Sequence, residues 1–258
     1  MIPSPIRGGV FLVAVVFFSI QIYCDFSGYS DIAIGTARLF GIRLMTNFRS
    51  PYLSPSVNEF WRRWHISLST WFRDYVYIPL GGNRKGRIRK YINTMITFLL
   101  SGLWHGANGT FIIWGGIHGL AQIVEDIFGL NKKKNFRCLS MALVFLFVTF
   151  AWIFFRADTL GEAGYIIRFM FDGISSPITY IRNGFAVLGI RRKTYIRIGI
   201  TLMILLLFDG INLHRDPLME AVKLPGVIRW GIYYLLGMVL IAYCFSNAGE
   251  NQFVYFQF

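Results

Sequence analysis

Charged residues are scarce in this sequence, and acidic ones are scarcer still. Asp, Glu, Lys and Arg make up 15% of the 258 residues, with 13 acidic against 26 basic side chains, whereas soluble domains carry about 25% charged residues. Residues 91–124 contain none of the four. Together with a hydrophobic fraction of 55%, this composition excludes an ordinary soluble domain and predicts an all-α, polytopic integral membrane protein.

Cysteine pairs and the common catalytic motifs are missing as well. Cys24, Cys138 and Cys244 are far apart, without the paired spacing of a zinc site or a redox pair. No two histidines stand at the i, i+4 spacing of a helical metal site, and no G-x-S-x-G, H-E-x-x-H or Walker motif occurs. We therefore expect no metal, and the sequence argues against a serine hydrolase or a P-loop nucleotide hydrolase.

The net charge of +13 has two possible explanations. A nucleic-acid-binding protein carries such an excess, but here the basic residues lie in loops beside apolar runs. That distribution is typical of the positive-inside rule and of contact with anionic lipid headgroups. We expect membrane lipids as partners, and no nucleic acid.

Apolar runs divide the chain into helical segments. The predicted spans are residues 8–24, 138–155, 194–213 and 230–247. After the first span, residues 25–31 predict a polar, glycine-containing break, and residues 31–40 predict a short helix. Residues 156–193 are mixed and stay open between an interfacial segment and a further crossing, because a single crossing by 138–155 would place basic residues 191–193 outside, against the charge rule.

Residues 57–72 predict an amphipathic helix at the membrane interface. Asn58 is the expected cap. One face of this helix carries residues at positions i, i+4, i+7 and i+11, which are Trp61, His65, Leu68 and Phe72. Arg62 and Arg63 lie off this face, toward lipid headgroups or an anionic ligand.

The uncharged run 91–124 is too long for one span. As a single helix it would measure about 51 Å at 1.5 Å per residue, against a hydrocarbon core of about 30 Å. Basic loops at 84–90 and 132–137 flank it, so both ends are expected on the cytoplasmic side. The run then enters and returns, with a break at 102–109 that places His105 within the membrane.

His105 is the first candidate for chemistry. A neutral imidazole in an apolar setting can take a proton from an attacking hydroxyl, and neighbouring glycines allow a ligand to approach. A buried histidine bonded to a carbonyl is the equal alternative at this stage. By residue type alone, His65 is more often structural, His118 packs in a helix, and Asp25 and Asp31 are turn or cap residues that could orient a histidine.

Four strings make the chain resemble the membrane-bound O-acyltransferase (MBOAT) family, especially its bacterial alginate O-acetylation branch with relatives acting on peptidoglycan. They are YCDFSGYSDIAIG (23–35), FWRRWHISLSTW (60–71), RDYVYIPLGGNR (73–84) and GLWHGAN (102–108). The resemblance is dense over 23–127, with weaker echoes at 152–157 and 253–258. By this resemblance, residues 1–258 are expected to form one membrane-embedded domain.

The resemblance implies a helical membrane fold with broken or re-entrant helices and a funnel leading to an essential histidine, His105, with His65 as a second catalytic histidine. The substrate-binding residues it suggests are Trp61, Arg62, Arg63, Trp64, Trp104 and Asn108. In this scheme the tryptophans shape the funnel, and an arginine steers an anionic donor.

The resemblance also implies the substrates. No cofactor would be bound permanently; the donor would be acetyl-coenzyme A or another acyl thioester from the cytoplasm. The acceptor would be a hydroxyl of an envelope polysaccharide, or of an extracytoplasmic partner protein that passes the acetyl group onward. The expected location is the bacterial inner membrane, crossed several times.

Two alternatives stay open. The first is transfer of D-alanyl or another acyl group, since the teichoic-acid branch of the family shares both Trp-His motifs but is less similar around 79–83. The second is an inactive or scaffold subunit of a glycan export complex. Family members usually carry several spans before the 23–31 motif, so this chain is expected to lack them, and a separate chain that supplies them is a candidate partner.

Overall fold

All regular structure in the described residues is helical. The computed structural model describes residues 6–130, 136–187, 189–215 and 217–246. Its helices are α1 Gly9–Leu39, α2 Val57–Arg63, α3 Ile66–Phe72, α4 Arg87–His105, α5 Gly109–Ile127, α6 Arg137–Arg156, α7 Leu160–Phe169, α8 Pro177–Val187, α9 Arg192–Asn212, α10 Pro217–Val222 and α11 Gly226–Ser246, with a 3-10 turn at Pro51–Leu53 and a π-helical turn at Arg73–Tyr77. Lysines 132–134 of the second basic loop, the last residue of the predicted 230–247 span and the motif at 253–258 lie outside the described residues.

Helix α1 corrects the prediction of a break at 25–31. It runs without interruption for 31 residues. A glycine in a helix costs only about 1 kcal/mol relative to alanine, no proline is present in the segment, and burial of Tyr23 and Ser30 on one side offsets that cost. At 1.5 Å per residue α1 is about 46 Å long, which exceeds the hydrocarbon thickness of about 30 Å.

The predicted helix over 57–72 is in fact two helices. The chain breaks at Trp64 and His65, and His65 has left-handed backbone angles with φ of 45°. Ser56, not Asn58, caps α2, because its side chain accepts a hydrogen bond from the backbone N of Glu59. The single amphipathic face predicted from helical spacing is therefore wrong.

Helices α4 and α5 confirm the predicted break in the uncharged run. They form an antiparallel hairpin joined by residues 106–108. Glycines permit the close packing: a side chain at Gly102 would collide with the carbonyl of Phe111, and one at Gly115 with the carbonyl of Phe98. Helix α4 already begins at Arg87, so the basic loop is shorter than predicted.

Within the part of the chain that the structure describes, three helices are long and apolar enough to cross a membrane: Gly9–Leu39, Arg137–Arg156 and Lys193–Asn212. Gly226–Ala242 is a shorter apolar helix within α11. In the segment 156–193, α7 and α8 have 10 and 11 residues, or about 15–17 Å each. Neither can span the bilayer by itself, and α8 packs along α1.

An aromatic core holds α1, α2, α5 and α6 together. Its fully buried members include Phe60, Trp114 and Trp152. Trp64 stacks on Phe60 with ring centroids 5.5 Å apart and contacts Trp152 at 5.2 Å. Both Trp-His motifs pack against this core, Trp64 as one of its members and His105 through Trp114 and Phe155.

Candidate active site

His105 is the last residue of α4 and sits in a box of aromatic rings. Its imidazole centroid lies 4.9 Å from that of Trp104, 5.2 Å from Trp114 and 5.1 Å from Phe155, with the rings nearly perpendicular. Three helices, α4, α5 and α6, contribute these rings. The box fixes the imidazole in place and leaves it half-buried.

His65 lies at the junction of α2 and α3, outside any spanning helix. Its ring packs edge-on against Phe26 of α1, with centroids 4.7 Å apart. Burial lowers the pKa of His65 to about 4, because the charged imidazolium loses hydration. His65 is therefore neutral at physiological pH and available as a proton acceptor.

Trp104 joins the two histidines. Its ring centroid is 4.9 Å from that of His105 and 6.4 Å from that of His65. Trp104 is 56% exposed, so a reactant could reach this place. The structure thus brings His65, Trp104 and His105 together from two distant parts of the sequence.

The other two tryptophans of the predicted set, Trp61 and Trp64, are buried. Trp64 is only 3% exposed and belongs to the core. Trp61 is buried, and its Nε1 donates to Nδ1 of His118 at 3.2 Å. One side of Trp61 lines a cavity, whereas Trp64 does not. A substrate-contacting position for Trp64 does not agree with this burial.

Arg62 and Arg63 have different surroundings. Arg62 is exposed and lines the same cavity. Arg63 forms an ion pair with Glu59 one turn earlier in α2. Arg62 is therefore the one of the two that is placed to meet an anionic ligand in the cavity.

Asn108 holds the break between α4 and α5. Its Oδ1 accepts from the backbone N of Thr110 at 3.2 Å, which caps α5, and its Nδ2 donates to the carbonyl of Asp158 at 2.8 Å. Both ends of the amide are occupied by backbone groups. The arrangement gives Asn108 a structural task, and its contact with substrate stays a prediction.

A cavity of about 650 Å³ runs along one face of α4. The α4 residues that line it are Lys90, Tyr91, Thr94, Thr97, Phe98 and Ser101. Its other lining residues include Trp61, Arg62 and Arg73. Residues 90, 94, 97, 101 and 105 share a helical face, so His105 lies one turn beyond the lined end. Lys90 pairs with Asp126 at 2.7 Å at the other end.

The structure places further polar residues near the two histidines, namely His118, which the sequence predicted to pack in a helix, and Asn47 and Ser67, to which it assigned no role. His118 is fully buried, and its Nε2 and the Nε1 of Trp114 have no hydrogen-bond partner among the described residues. Asn47 and Ser67 bond to each other beside His65. Their separation of 20 residues has no helical periodicity, so only tertiary contacts reveal the pair.

Asp25 and Asp31, which could have been turn or cap residues, lie inside α1 instead. A buried polar contact links α1 to α9, where Tyr23 Oη donates to Asp209 Oδ1 at 2.8 Å and Asp209 is 2% exposed. A carboxylate so buried in an apolar helix needs such a donor. This contact stabilises the wall behind His65.

The chain belongs to the MBOAT, membrane-bound O-acyltransferase family, whose profile matches residues 4–157. It is therefore a membrane protein of all-helical fold, as the sequence predicted.

Among characterised relatives, it is 51% identical over 170 residues to the probable alginate O-acetylase AlgI of Pseudomonas syringae pv. tomato, which covers 66% of this chain and 33% of the relative. It is 44% identical over 164 residues to a peptidoglycan O-acetyltransferase of Helicobacter pylori, covering 61% of this chain and 31% of the relative. With a teichoic acid D-alanyltransferase of Bacillus subtilis it shares 33% identity over 153 residues, covering 54% and 39%. The matched part of the chain thus spans about a third of each relative.

Proposed function

We propose that this protein is an O-acyltransferase that moves an acetyl group from a thioester to hydroxyls of a cell-envelope polymer. One observation carries the proposal: in a chain of the MBOAT family, the two Trp-His motifs meet at Trp104, with His105 held by three helices. The names of the acetyl-transferring relatives support the acetyl group and the envelope acceptor.

The donor in this proposal is acetyl-coenzyme A or another cytoplasmic acyl thioester, and it enters along the α4 cavity. Arg62 gives the cavity a cationic side chain that attracts phosphate groups, whereas Lys90 is paired with Asp126 and Arg73 with Asp74. From Lys90 to His105 the helix rises about 22 Å. An extended carrier arm laid along this face would bring its thioester toward His105.

The chemistry assigned to His105 is general base catalysis. The neutral imidazole takes the proton of the acceptor hydroxyl while the hydroxyl oxygen forms a bond to the thioester carbonyl carbon. The carbon–sulfur bond then breaks, and the leaving thiolate recovers the proton from the imidazolium. His65, on the other side of Trp104, is neutral and serves as the second proton acceptor of the site.

The proposed location is the bacterial inner membrane, crossed more than once. The basic residues that precede α4 support a cytoplasmic position for that end of the hairpin. An extracytoplasmic protein that carries the acetyl group onward and a polysaccharide acceptor are the proposed partners.

A second candidate is transfer of D-alanyl groups. The identity of 33% to a teichoic acid D-alanyltransferase over 153 residues supports it. The two candidates share the histidine chemistry and differ in the donor, so one experiment can separate them.

That experiment measures ester-linked acetate and ester-linked D-alanine on isolated envelope polymers. The cells lack the gene and are complemented with the original chain, with His105→Ala or with His214→Ala, a matched control at an exposed turn. We expect acetate to return with the original and the control, and to stay at background, about a hundredfold lower, with His105→Ala. Return of D-alanine alone would favour the second candidate, and no return of either ester contradicts both.

A further inference from the structure

The hydrogen bonds around His65 determine which of its nitrogens carries the proton. Asn47 Oδ1 lies 3.1 Å from the backbone N of Ser67 and 2.6 Å from Ser67 Oγ. A backbone N–H can only donate, so the Asn47 atom facing it must be the amide oxygen. The bond from Asn47 Nδ2 to Ser30 Oγ at 3.5 Å agrees with this orientation.

The amide oxygen of Asn47 in turn determines where the hydroxyl of Ser67 donates its proton. Because Oδ1 accepts only, the short contact of 2.6 Å requires Ser67 Oγ to donate its single proton to Asn47. The hydroxyl then presents lone pairs to its other neighbour, Nδ1 of His65 at 3.4 Å. A bare Nδ1 would face those lone pairs and be repelled, whereas a protonated Nδ1 donates to them.

The backbone keeps these three residues in place. Ile66 N donates to the carbonyl of Asn47 at 3.0 Å, and His65 is held at φ of 45°. A non-glycine residue in left-handed conformation is strained, and such strain concentrates at functional sites. The pKa of about 4 for His65 makes the ring neutral at pH 7, so that its tautomer is a defined property.

We propose that Ser67 and Asn47 are positioning residues that hold His65 as the Nδ1–H tautomer and leave Nε2 as the proton acceptor of the ring. Nδ1 is the ring nitrogen that Ser67 Oγ contacts, at 3.4 Å. The tautomer itself does not depend on the acyltransferase activity; only its use in catalysis rests on the proposed function.

The test is ¹⁵N NMR of the full chain in detergent at pH 7, with histidine labelled at Nδ1 alone. The signal of His65 is assigned by its absence in His65→Gln. We expect it in the range of a protonated ring nitrogen, moving toward the bare-nitrogen range in Ser67→Ala and Asn47→Ala and returning in Ser67→Thr. Ser27→Ala, a serine of α1 bonded only to a backbone carbonyl, should leave it unchanged.

A signal in the bare-nitrogen range for His65 Nδ1 in the unmodified chain overturns the proposal. An Nδ1 signal that stays at its unmodified position in folded Ser67→Ala also overturns it. Ester formation in complemented cells is the second readout, with an expected loss of about 10- to 100-fold in Ser67→Ala and recovery in Ser67→Thr. If the tautomer is found but no variant, nor the original, forms ester, the proposed function fails while the positioning role stands.

Discussion

The two Trp-His pairs of this chain have the same sequence and opposite arrangements. In the first, Trp64 is buried at 3% exposure, and His65 starts a helix from a left-handed backbone. In the second, Trp104 is 56% exposed, and His105 ends a helix inside an aromatic box. The motif therefore supplies residue types, while the helix break beside it decides which ring enters the core and which stays exposed.

Replacing the tryptophans should give the largest contrast between the pairs. Trp64→Ala leaves a cavity in the aromatic core and should lower the free energy of unfolding by about 3–5 kcal/mol. Trp104→Ala removes an exposed ring, and a change within about 0.5 kcal/mol is expected, together with a loss of ester formation. Denaturant unfolding in detergent measures the free energy of unfolding of both variants. Equal losses of stability would contradict the conclusion that Trp64 is a core residue and Trp104 is not.

The hydrogen bonds that hold the first turns of α2 and α5 come next in size. Glu125 accepts from the backbone N of Val57 at 2.6 Å and of Asn58 at 3.1 Å, which holds the start of α2. Glu125→Ala should cost about 1–3 kcal/mol, because buried donors lose their partner. Asn108→Ala, which removes the cap of α5, should cost about 1 kcal/mol.

The same unfolding measurement compares these two variants. Glu220→Ala is the control, since Glu220 forms an exposed pair with Lys223 and should change stability by less than about 1 kcal/mol. A Glu125 variant as stable as this control would show that α2 is held by its core contacts alone.

Backbone strain should distinguish the histidines themselves. Valine tolerates left-handed angles poorly and asparagine tolerates them well. His65→Val should therefore be about 1–2 kcal/mol less stable than His65→Asn, whereas at His105, where the backbone is helical, the order should vanish or reverse slightly. Thermal unfolding of the four variants checks this, and an equal Val–Asn difference at both sites would be inconsistent with it.

The last prediction is a dependence of stability on pH. The pKa of His65 is lowered from 6.5 to about 4 in the folded chain, so the unfolded chain binds this proton first as the pH falls. The contribution of His65 is thus complete above about pH 6.5 and is lost progressively toward pH 4. His65→Gln should show a shallower loss over this window, and identical slopes for the two proteins would disprove the burial effect.

Local signals explain which features could be predicted. The break between α4 and α5 follows from a long uncharged run and from a glycine- and asparagine-containing turn, all within a few residues. The break between α2 and α3 does not, because the 3.6-residue spacing of Trp61, His65, Leu68 and Phe72 continues across it. At that break Asn47 accepts hydrogen bonds from the backbone N of Ile66 and of Ser67, and Arg49 N donates to the carbonyl of Arg63, so the contacts come from a segment that precedes α2.

The sequence by itself determined the membrane class, the family and the two Trp-His motifs, since composition, hydropathy and residue order are properties of the chain alone. It also determined the α4–α5 hairpin, whose causes are local. Only the tertiary structure decided that His65 and His105 share Trp104, that Trp64 is core and that Ser67 and Asn47 meet at His65. Those outcomes depend on packing between α1, α2, α5 and α6, and no periodicity within one segment encodes contacts between residues that lie far apart along the chain.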